Sequence, residues 1–248
     1  MNLGYITEYS KLTVQEQRQL KYKRMFKTDF NKWDESMVLL TNLVNKYVGD
    51  NANVLDAGCG NGNYVIDELR EKFKLAIGVD VDKKLTSKNI CLDKIVIGNL
   101  DKLPFDNNSF DLVVSLWVLE HLQNPNAVFL EINRVLKFGS FFAFVTPNKN
   151  SFLILFRRFV NKKVNNFLVE KLFGRKNDDI FEVLYLANDI GRLKDLAEKN
   201  NFDIKFLKTN FDPSYTSFNN FSYFITKLLY RFNINFFDSH IVGVFAKK

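Results

Sequence analysis

The chain has 248 residues and a formal net charge of +7, a length that favours one large domain with insertions over two equal domains. Hydrophobic residues make up 46% and charged residues 25%, which excludes disordered and collagen-like chains. Two cysteines, Cys59 and Cys91, are too few for a disulfide scaffold and suit a reducing compartment. The sequence shows neither a secretory signal nor a run of about 18 apolar residues. A cytoplasmic protein without a membrane span is expected.

The spacing of apolar residues predicts two helices within residues 13–48, followed by alternating strands and helices. Five short strands are predicted at Val54–Ala57, Leu75–Asp80, Lys94–Ile97, Asp111–Leu116 and Phe141–Thr146. Helical patterns such as Tyr64–Phe73 and Pro125–Leu136 separate several of them. Strands that alternate with helices favour a parallel sheet covered on both faces.

The second half of the chain combines further elements of this kind with two aromatic stretches. Asp189–Lys199 predicts a helix, and Phe202–Lys208 and Ile241–Phe245 predict two last strands. The stretch Lys149–Lys176 has eight Lys or Arg against one acid and therefore carries the whole charge surplus. A second aromatic stretch, Tyr215–Phe237, has similar helical spacing.

The basic stretch has three competing interpretations: a solvated helix pair that caps the fold, a helix at a membrane surface, or an RNA-binding face. Its apolar residues recur every three or four positions and form a continuous face, whereas RNA binding uses isolated aromatic platforms. We therefore favour a lid that covers an acceptor pocket. Peripheral membrane contact through 149–176 is an additional prediction. Nucleic-acid binding is the less favoured alternative.

The strongest local motif is the strand Val54–Ala57, which runs into glycines at positions 58, 60 and 62. Glycines there allow a sharp turn and let a ligand approach main-chain amides. A dinucleotide-binding fingerprint would have glycine at position 63, where this chain has Asn63, and Asp56 favours a cation over a pyrophosphate. Asp80 closes the next strand, as a ribose-binding acid should. The motif therefore predicts a ligand-binding turn.

Together with three later segments, these residues resemble the class I S-adenosylmethionine-dependent methyltransferases, in particular the small-molecule, type 11-like group. The later segments are Gly98–Val113, Leu119–Leu122 and Arg134–Gly139. The resemblance is close over residues 50–147 and looser over 189–208 and 241–248.

The resemblance implies an α/β fold with a doubly wound, Rossmann-like sheet. That sheet would have seven strands, mostly parallel, with the last strand antiparallel, and would carry helical lid insertions. One methyltransferase domain would span residues 1–248. Within it, residues 1–50 would form N-terminal helices, 51–147 the cofactor-binding core, and 148–188 with 211–238 the lid and acceptor-binding insertions.

The resemblance also implies ten residues around S-adenosylmethionine. They are Asp56, Gly58, Cys59, Gly60, Asp80, Val81, Asn99, Leu100, Ser115 and Trp117. The glycine turn would hold the amino-acid end of the cofactor, Asp56 would point toward its ammonium group, and Asp80 would accept both ribose hydroxyls.

The remaining residues of this set would surround the adenine and the methyl group. Val81 and Leu100 would sandwich the adenine. Asn99 would accept a hydrogen bond from its amino group, at a position where the family more often has aspartate. Ser115 and Trp117 would face the sulfonium and the acceptor.

For a hydroxyl acceptor, a base must take the proton. His121 is the candidate, because a histidine with an unperturbed pKa of about 6.5 suits this role, and Glu120 is the alternate. The same pair resembles part of the metal site of some quinol-type methyltransferases, but two adjacent residues do not make a metal site, so none is predicted. The expected reaction is methyl transfer to oxygen of a small-molecule or lipid- or glycan-linked acceptor. The alternatives are an RNA methyltransferase and a non-catalytic cofactor binder that docks a membrane or partner.

Overall fold

A computed structural model describes residues 12–159 and 182–248 of the chain, with side chains up to Phe156 in the first of these ranges. Much of the basic stretch, residues 160–176, therefore lies outside the described residues, and its predicted contact with a membrane stays a prediction. Within the described ranges, no helix is long and apolar enough to cross a membrane.

The chain divides into two compact units. The first, here called the helical unit, comprises Met1–Glu35, Asn148–Glu182 and Thr209–His240. The second, here called the sheet unit, comprises Ser36–Pro147, Val183–Lys208 and Ile241–Lys248.

Seven strands form one sheet in the order β3-β2-β1-β4-β5-β7-β6. Their bounds are β1 Ala52–Ala57, β2 Phe73–Asp80, β3 Lys94–Ile97, β4 Phe110–Leu116, β5 Leu136–Pro147, β6 Phe202–Phe211 and β7 Asp238–Lys247. The pairs β1–β2, β1–β4, β2–β3 and β4–β5 are parallel, and the last strand is antiparallel. The predicted fold class is confirmed. The strand order reverses between β1 and β4, and ligands of open α/β sheets bind outside the carboxyl ends of the strands at such a point.

Eight α-helices accompany the sheet in the described ranges. They are α1 Val14–Asp29, α2 Ser36–Tyr47, α3 Tyr64–Glu68, α4 Lys83–Thr86, α5 Pro125–Val135, α6 Phe152–Phe159, α7 Ile190–Lys199 and α8 Asn220–Arg231. Side chains cap several of them: Thr13 and Glu16 form a capping box at α1, and the Asp189 carboxylate accepts from the Arg192 amide at α7. Such caps satisfy amide groups that the first helical turn leaves without partners.

One predicted helix was too long. The sequence predicts a helix over Tyr64–Phe73. In the structure, α3 ends at Glu68, and a 3-10 turn at Arg70–Lys72 leads directly into β2. Phe73 is the buried first residue of that strand. Its burial in the sheet overrides the helical spacing of the residues before it.

The sheet unit buries apolar side chains on both faces of the sheet. On one face, Phe129 of α5 packs edge-on against Phe142 of β5, with ring centroids 5.4 Å apart. On the other face, Leu40 and Val44 of α2 pack with Val54 of β1. Two buried faces require two layers of helices, as the alternation of strands and helices predicted.

Gly243 on β7 marks a close approach within this core. A Cβ built there would lie 2.2 Å from Cζ of Phe144, whose side chain is fully buried. Gly243→Ala should therefore lower the free energy of unfolding by about 1–3 kcal/mol, the usual cost of overpacking. Gly49→Ala is the matched control, because nothing lies within 4 Å of a Cβ at Gly49. Urea denaturation of both variants tests this: equal midpoints would show that the ring yields freely.

In the helical unit, Phe26 of α1 is fully buried and packs with Phe211 and Tyr223. The Trp33 indole donates to the carbonyl of Phe211 over 2.9 Å. Lys23 forms ion pairs with Glu35 and with Asp212, at 2.5 and 3.1 Å.

Candidate active site

The glycine turn after β1 is fastened to the end of β2. The amides of Gly58 and Cys59 both donate to the carbonyl of Val79, over 2.8 and 3.1 Å. Gly58 has a φ of 83°, and a Cβ there would lie 2.3 Å from Cγ2 of Val118. Both the backbone conformation and the space therefore require glycine.

Cys59 lies inside this turn and is 1% exposed. Burial, together with the nearby carboxylates of Asp56 and Asp80, raises the pKa of its thiol to about 12. The thiol is neutral at physiological pH and is not a nucleophile. Its amide and its carbonyl are hydrogen-bonded to Val79 and Asn89, so Cys59 contributes to the site by shaping the turn.

Asp80 joins the turn to the end of β2. One carboxylate oxygen, Oδ2, accepts from the Gly60 amide over 2.9 Å, and Oδ1 accepts from the Asp82 amide over 2.9 Å. The predicted convergence of the glycine turn and this carboxylate is thus present in the structure. Because an ionised carboxylate has about four acceptor sites, each oxygen can take a further hydrogen bond from a ligand.

Asp56 is a fully buried carboxylate at the end of β1. Its Oδ1 accepts from the Asn63 side-chain amide over 2.8 Å, while Oδ2 has no hydrogen-bond partner among the described residues. Burial raises the pKa of Asp56 to about 7, although the hydrogen bond from Asn63 acts to lower it. A buried carboxylate with one open oxygen is suited to a cationic group.

Sequence reasoning missed the part played by two asparagines. Asn63, noticed only as a departure from a dinucleotide fingerprint, holds Asp56 and also accepts from the amides of Val65 and Ile66 at the start of α3. Asn89 donates to the carbonyls of Cys59 and Gly60. The role of Asn63 had one signal in the sequence, a polar side chain placed directly after Gly62. Nothing in the sequence pattern indicated Asn89.

The predicted adenine-binding residues follow β2 and β3, two adjacent parallel strands. The Gly98 amide donates to the carbonyl of Asp80 over 3.0 Å, which brings the two strand ends together. Val81 is 60% exposed, Asn99 is exposed, and Leu100 is 7% exposed. At these strand ends, Val81 and Asn99 are therefore accessible to a ligand, whereas Leu100 is buried.

The end of β4 lies beside the end of β1. Ser115 is 1% exposed and its hydroxyl donates to the carbonyl of Ala57 over 2.8 Å. Trp117 has a φ of 59°, and its amide donates to the carbonyl of Val145 on β5 over 3.0 Å. Ser115 therefore fastens β4 to β1 through a buried hydrogen bond. Its predicted contact with a sulfonium, and that of Trp117, stay predictions.

Glu120 and His121 lie in the 3-10 turn Leu119–His121 that follows β4. The two side chains approach to 4.0 Å, between Nε2 of His121 and Oε1 of Glu120, and are 30% and 8% exposed. The imidazole is therefore the more accessible of the two predicted catalytic groups. Residues 12–159 and 182–248 contain no cluster of three or more His, Cys, Asp or Glu arranged to hold a metal.

Glu120 belongs to a buried polar network. Its Oε2 accepts from the Thr146 hydroxyl over 3.2 Å, and the same hydroxyl oxygen accepts from the Asn188 amide over 2.5 Å. The main-chain carbonyl of Glu120 accepts from the amides of Leu184 and Tyr185. These contacts fix the turn that carries His121 and favour a positioning role for Glu120.

Comparisons with known proteins bear on the family and the fold. Residues 55–144 match the family model of a methyltransferase domain. An S-adenosylmethionine-dependent methyltransferase from Mesorhizobium loti superposes with a TM-score of 0.59 at 14% identity, covering 86% of this chain and 98% of its own.

The chain carries a class I S-adenosylmethionine-dependent methyltransferase domain, matched over residues 55–144.

Two relatives in sequence differ in how much of the methyltransferase they match. An uncharacterised protein of Methanocaldococcus jannaschii is 26% identical over 240 residues, covering 92% of this chain and 86% of its own length. A 24-methylenesterol C-methyltransferase of Arabidopsis thaliana is 35% identical over 98 residues, but covers only 36% of this chain and 27% of its own length.

The residues at the carboxyl ends of the strands fit the cofactor of this family. S-adenosylmethionine presents an ammonium group, a carboxylate, a ribose diol and an adenine. The buried Oδ2 of Asp56, which has no hydrogen-bond partner among the described residues, suits a cation. The glycine turn lets a ligand approach its main chain closely. Asp80 retains acceptor capacity for hydroxyl donors. The methyltransferase thus offers one carboxylate suited to the ammonium group and another suited to the ribose diol.

Proposed function

We propose that this methyltransferase transfers the methyl group to a hydroxyl oxygen of a small-molecule, lipid-linked or glycan-linked acceptor, with His121 as general base. The observation that supports this most is the placement of His121. It follows β4, a central strand, at the sheet edge where β1 and β2 also end, and its side chain is 30% exposed. Parallel strands bring their carboxyl ends to one edge, so an imidazole there is available to an acceptor.

In the proposed site, Asp56 faces the cofactor's ammonium group, and Asp80 accepts hydrogen bonds from the two ribose hydroxyls. Val81 and Leu100 flank the adenine, and Asn99 accepts its amino group. The turn at Gly58, Cys59 and Gly60 lies against the amino-acid end, and Ser115 and Trp117 line the path to the methyl group.

The cofactor supplies a sulfonium, which is an activated leaving group. What remains for the protein is to align the acceptor, exclude water and remove one proton. His121 takes the hydroxyl proton as the oxygen becomes methylated. Glu120, tied to Thr146 and to the 184–185 main chain, holds the turn that carries His121.

Asp56→Asn should change stability and affinity in opposite directions. The raised pKa of about 7, against 3.8 for an ordinary aspartate, means that the stability contributed by protonated Asp56 is lost as the pH rises from about 4 through 7. At pH 8 without cofactor, the isosteric amide should raise the free energy of unfolding by up to about 4 kcal/mol. Urea denaturation measures this gain.

The same variant should bind S-adenosylmethionine about tenfold more weakly or worse, because the charge that attracts the ammonium group is gone. Calorimetry measures the loss, and Asp195→Asn, on the exposed side of α7, is the control for a neutralised carboxylate. If stability and affinity rose or fell together, Asp56 would be a structural residue and not a cofactor ligand.

The proposed reaction is tested with the purified chain, S-adenosylmethionine and a panel of acceptors. The panel contains phenolic and aliphatic alcohols, lipid and glycan hydroxyls, an unsaturated carbon acceptor and unmodified tRNA. Release of S-adenosylhomocysteine and mass spectrometry of the products should show methyl ethers. Products methylated only at carbon, the atom named for the sterol relative, or only on RNA, would contradict the proposal.

A further inference from the structure

Helix α8, in the helical unit, has apolar side chains on two sides. On one side, Tyr223 and Thr226 are buried, and the Tyr223 ring stacks on that of Tyr22 at 5.3 Å. On the other side, Phe221 is 75% exposed and Phe224 54% exposed. The packing of α8 within the unit therefore accounts for only one of its two apolar sides.

Further apolar side chains of the helical unit are exposed outside α8. Eight exposed apolar side chains of the helical unit, here called the aromatic surface, are Phe152, Phe156, Phe221, Phe224, Ile225, Phe232, Ile234 and Phe236. They make up half of the sixteen large apolar side chains exposed in the described ranges. The Phe152 ring lies 5.7 Å from that of Phe156 and 5.8 Å from that of Phe236, which links α6 to the segment after α8. Single exposed apolar residues are ordinary, but their concentration in one unit points to an interaction site.

The charges on these segments are of one sign. Residues 148–159 and 213–237 contain no Asp or Glu, but they do contain Lys149, Arg157, Arg158, Lys227 and Arg231. Lys227 pairs with Asp29 of α1 at 3.1 Å, so part of its charge is compensated. Over its described residues, the helical unit carries eleven Lys or Arg and seven Asp or Glu.

We propose that the aromatic surface docks the methyltransferase on an anionic lipid bilayer. Aromatic side chains enter the boundary between headgroups and acyl chains, and basic residues of the same segments attract anionic headgroups. A second copy of this chain is the less suitable occupant, because it would bring together two sets of segments that carry the same positive charge. The proposal stands on the exposed residues of α6, α8 and 232–237 and does not depend on the acceptor.

Cosedimentation of the full-length protein with vesicles tests the proposal. Vesicles of phosphatidylcholine with about one-third phosphatidylglycerol should bind the protein at low salt and bind it weakly at high salt. Pure phosphatidylcholine should bind it at least about fivefold more weakly. Phe221→Ser/Phe224→Ser should reduce binding to the anionic vesicles about tenfold or more. Arg231→Gln should reduce it about fivefold.

The control is Leu130→Ser/Phe138→Ser, which removes side chains of the sheet unit that are 58% and 75% exposed. It should bind like the unchanged protein, and thermal melts should show all variants folded. Absence of binding by the unchanged protein, or equal loss in both double variants, would overturn the proposal. A dimer in sedimentation velocity that Phe221→Ser/Phe224→Ser abolishes, without vesicle binding, would assign the surface to a second copy instead.

Discussion

Asp80→Ala should weaken the binding of S-adenosylmethionine by about 100- to 10,000-fold. The carboxylate would accept two ribose hydroxyls, and hydrogen bonds to a charged group contribute about 1.5–3 kcal/mol each. Losing both costs about 3–6 kcal/mol, which corresponds to that range of affinity at 1.4 kcal/mol per tenfold. Asp80 also holds the amides of Gly60 and Asp82, so the variant loosens the turn that faces the cofactor. Isothermal titration calorimetry measures the change.

Asp195→Ala is the matched control for this experiment, because it removes an exposed carboxylate from α7 in the same unit. Its affinity should equal that of the unchanged protein. Thermal melts without cofactor separate lost binding from lost folding. An Asp80→Ala protein that melts cooperatively and binds the cofactor with unchanged affinity would contradict the assignment of the ribose ligand.

His121→Ala should lower kcat by about 100- to 10,000-fold for a hydroxyl acceptor, the range in which a positioned base acts. Cofactor affinity should stay unchanged, because the proposed cofactor contacts are made by other residues. The measurement is release of S-adenosylhomocysteine under saturating cofactor and acceptor, combined with calorimetry of cofactor binding.

His240→Gln is the control, since it changes the other histidine of the chain and keeps a polar group near the Tyr215 hydroxyl. It should turn over at close to the unchanged rate. If His121→Ala also kept its full rate, alignment of the acceptor alone would suffice and the general base would be absent. A joint fall in kcat and cofactor affinity would indicate that His121 shapes the site.

The alternation of strands and helices and the meeting of the glycine turn with Asp80 could be predicted from the sequence. Apolar runs separated by helical patterns define parallel strands, and the spacing from Gly58 to Asp80 matches one strand-helix-strand unit. Element ends were predicted less well, because they depend on tertiary contacts. Leu136 illustrates this: its apolar side chain extends the helical pattern of α5, yet it is the buried first residue of β5.

Within the candidate site, the sequence indicates which residues lie at the strand ends, but not the hydrogen bonds that hold them. The tether from Asn63 to Asp56 joins side chains seven residues apart, and the bond from Ser115 to Ala57 crosses between strands. No local spacing encodes such contacts. The helical spacing of Tyr215–Phe237 predicted a helix but not its two sides. Only the packing of Tyr223 against Tyr22 shows which aromatic rings remain exposed.

The central claim is that the cofactor binds where β1, β2 and β3 end, between the glycine turn and Asp80. Hydrogen–deuterium exchange of the unchanged protein, with and without S-adenosylhomocysteine, tests it most directly. We expect slower exchange in peptides covering residues 56–63, 80–82 and 98–100, with little change in α7. Slower exchange confined to other segments, with these three unaffected at saturating ligand, would contradict the claim.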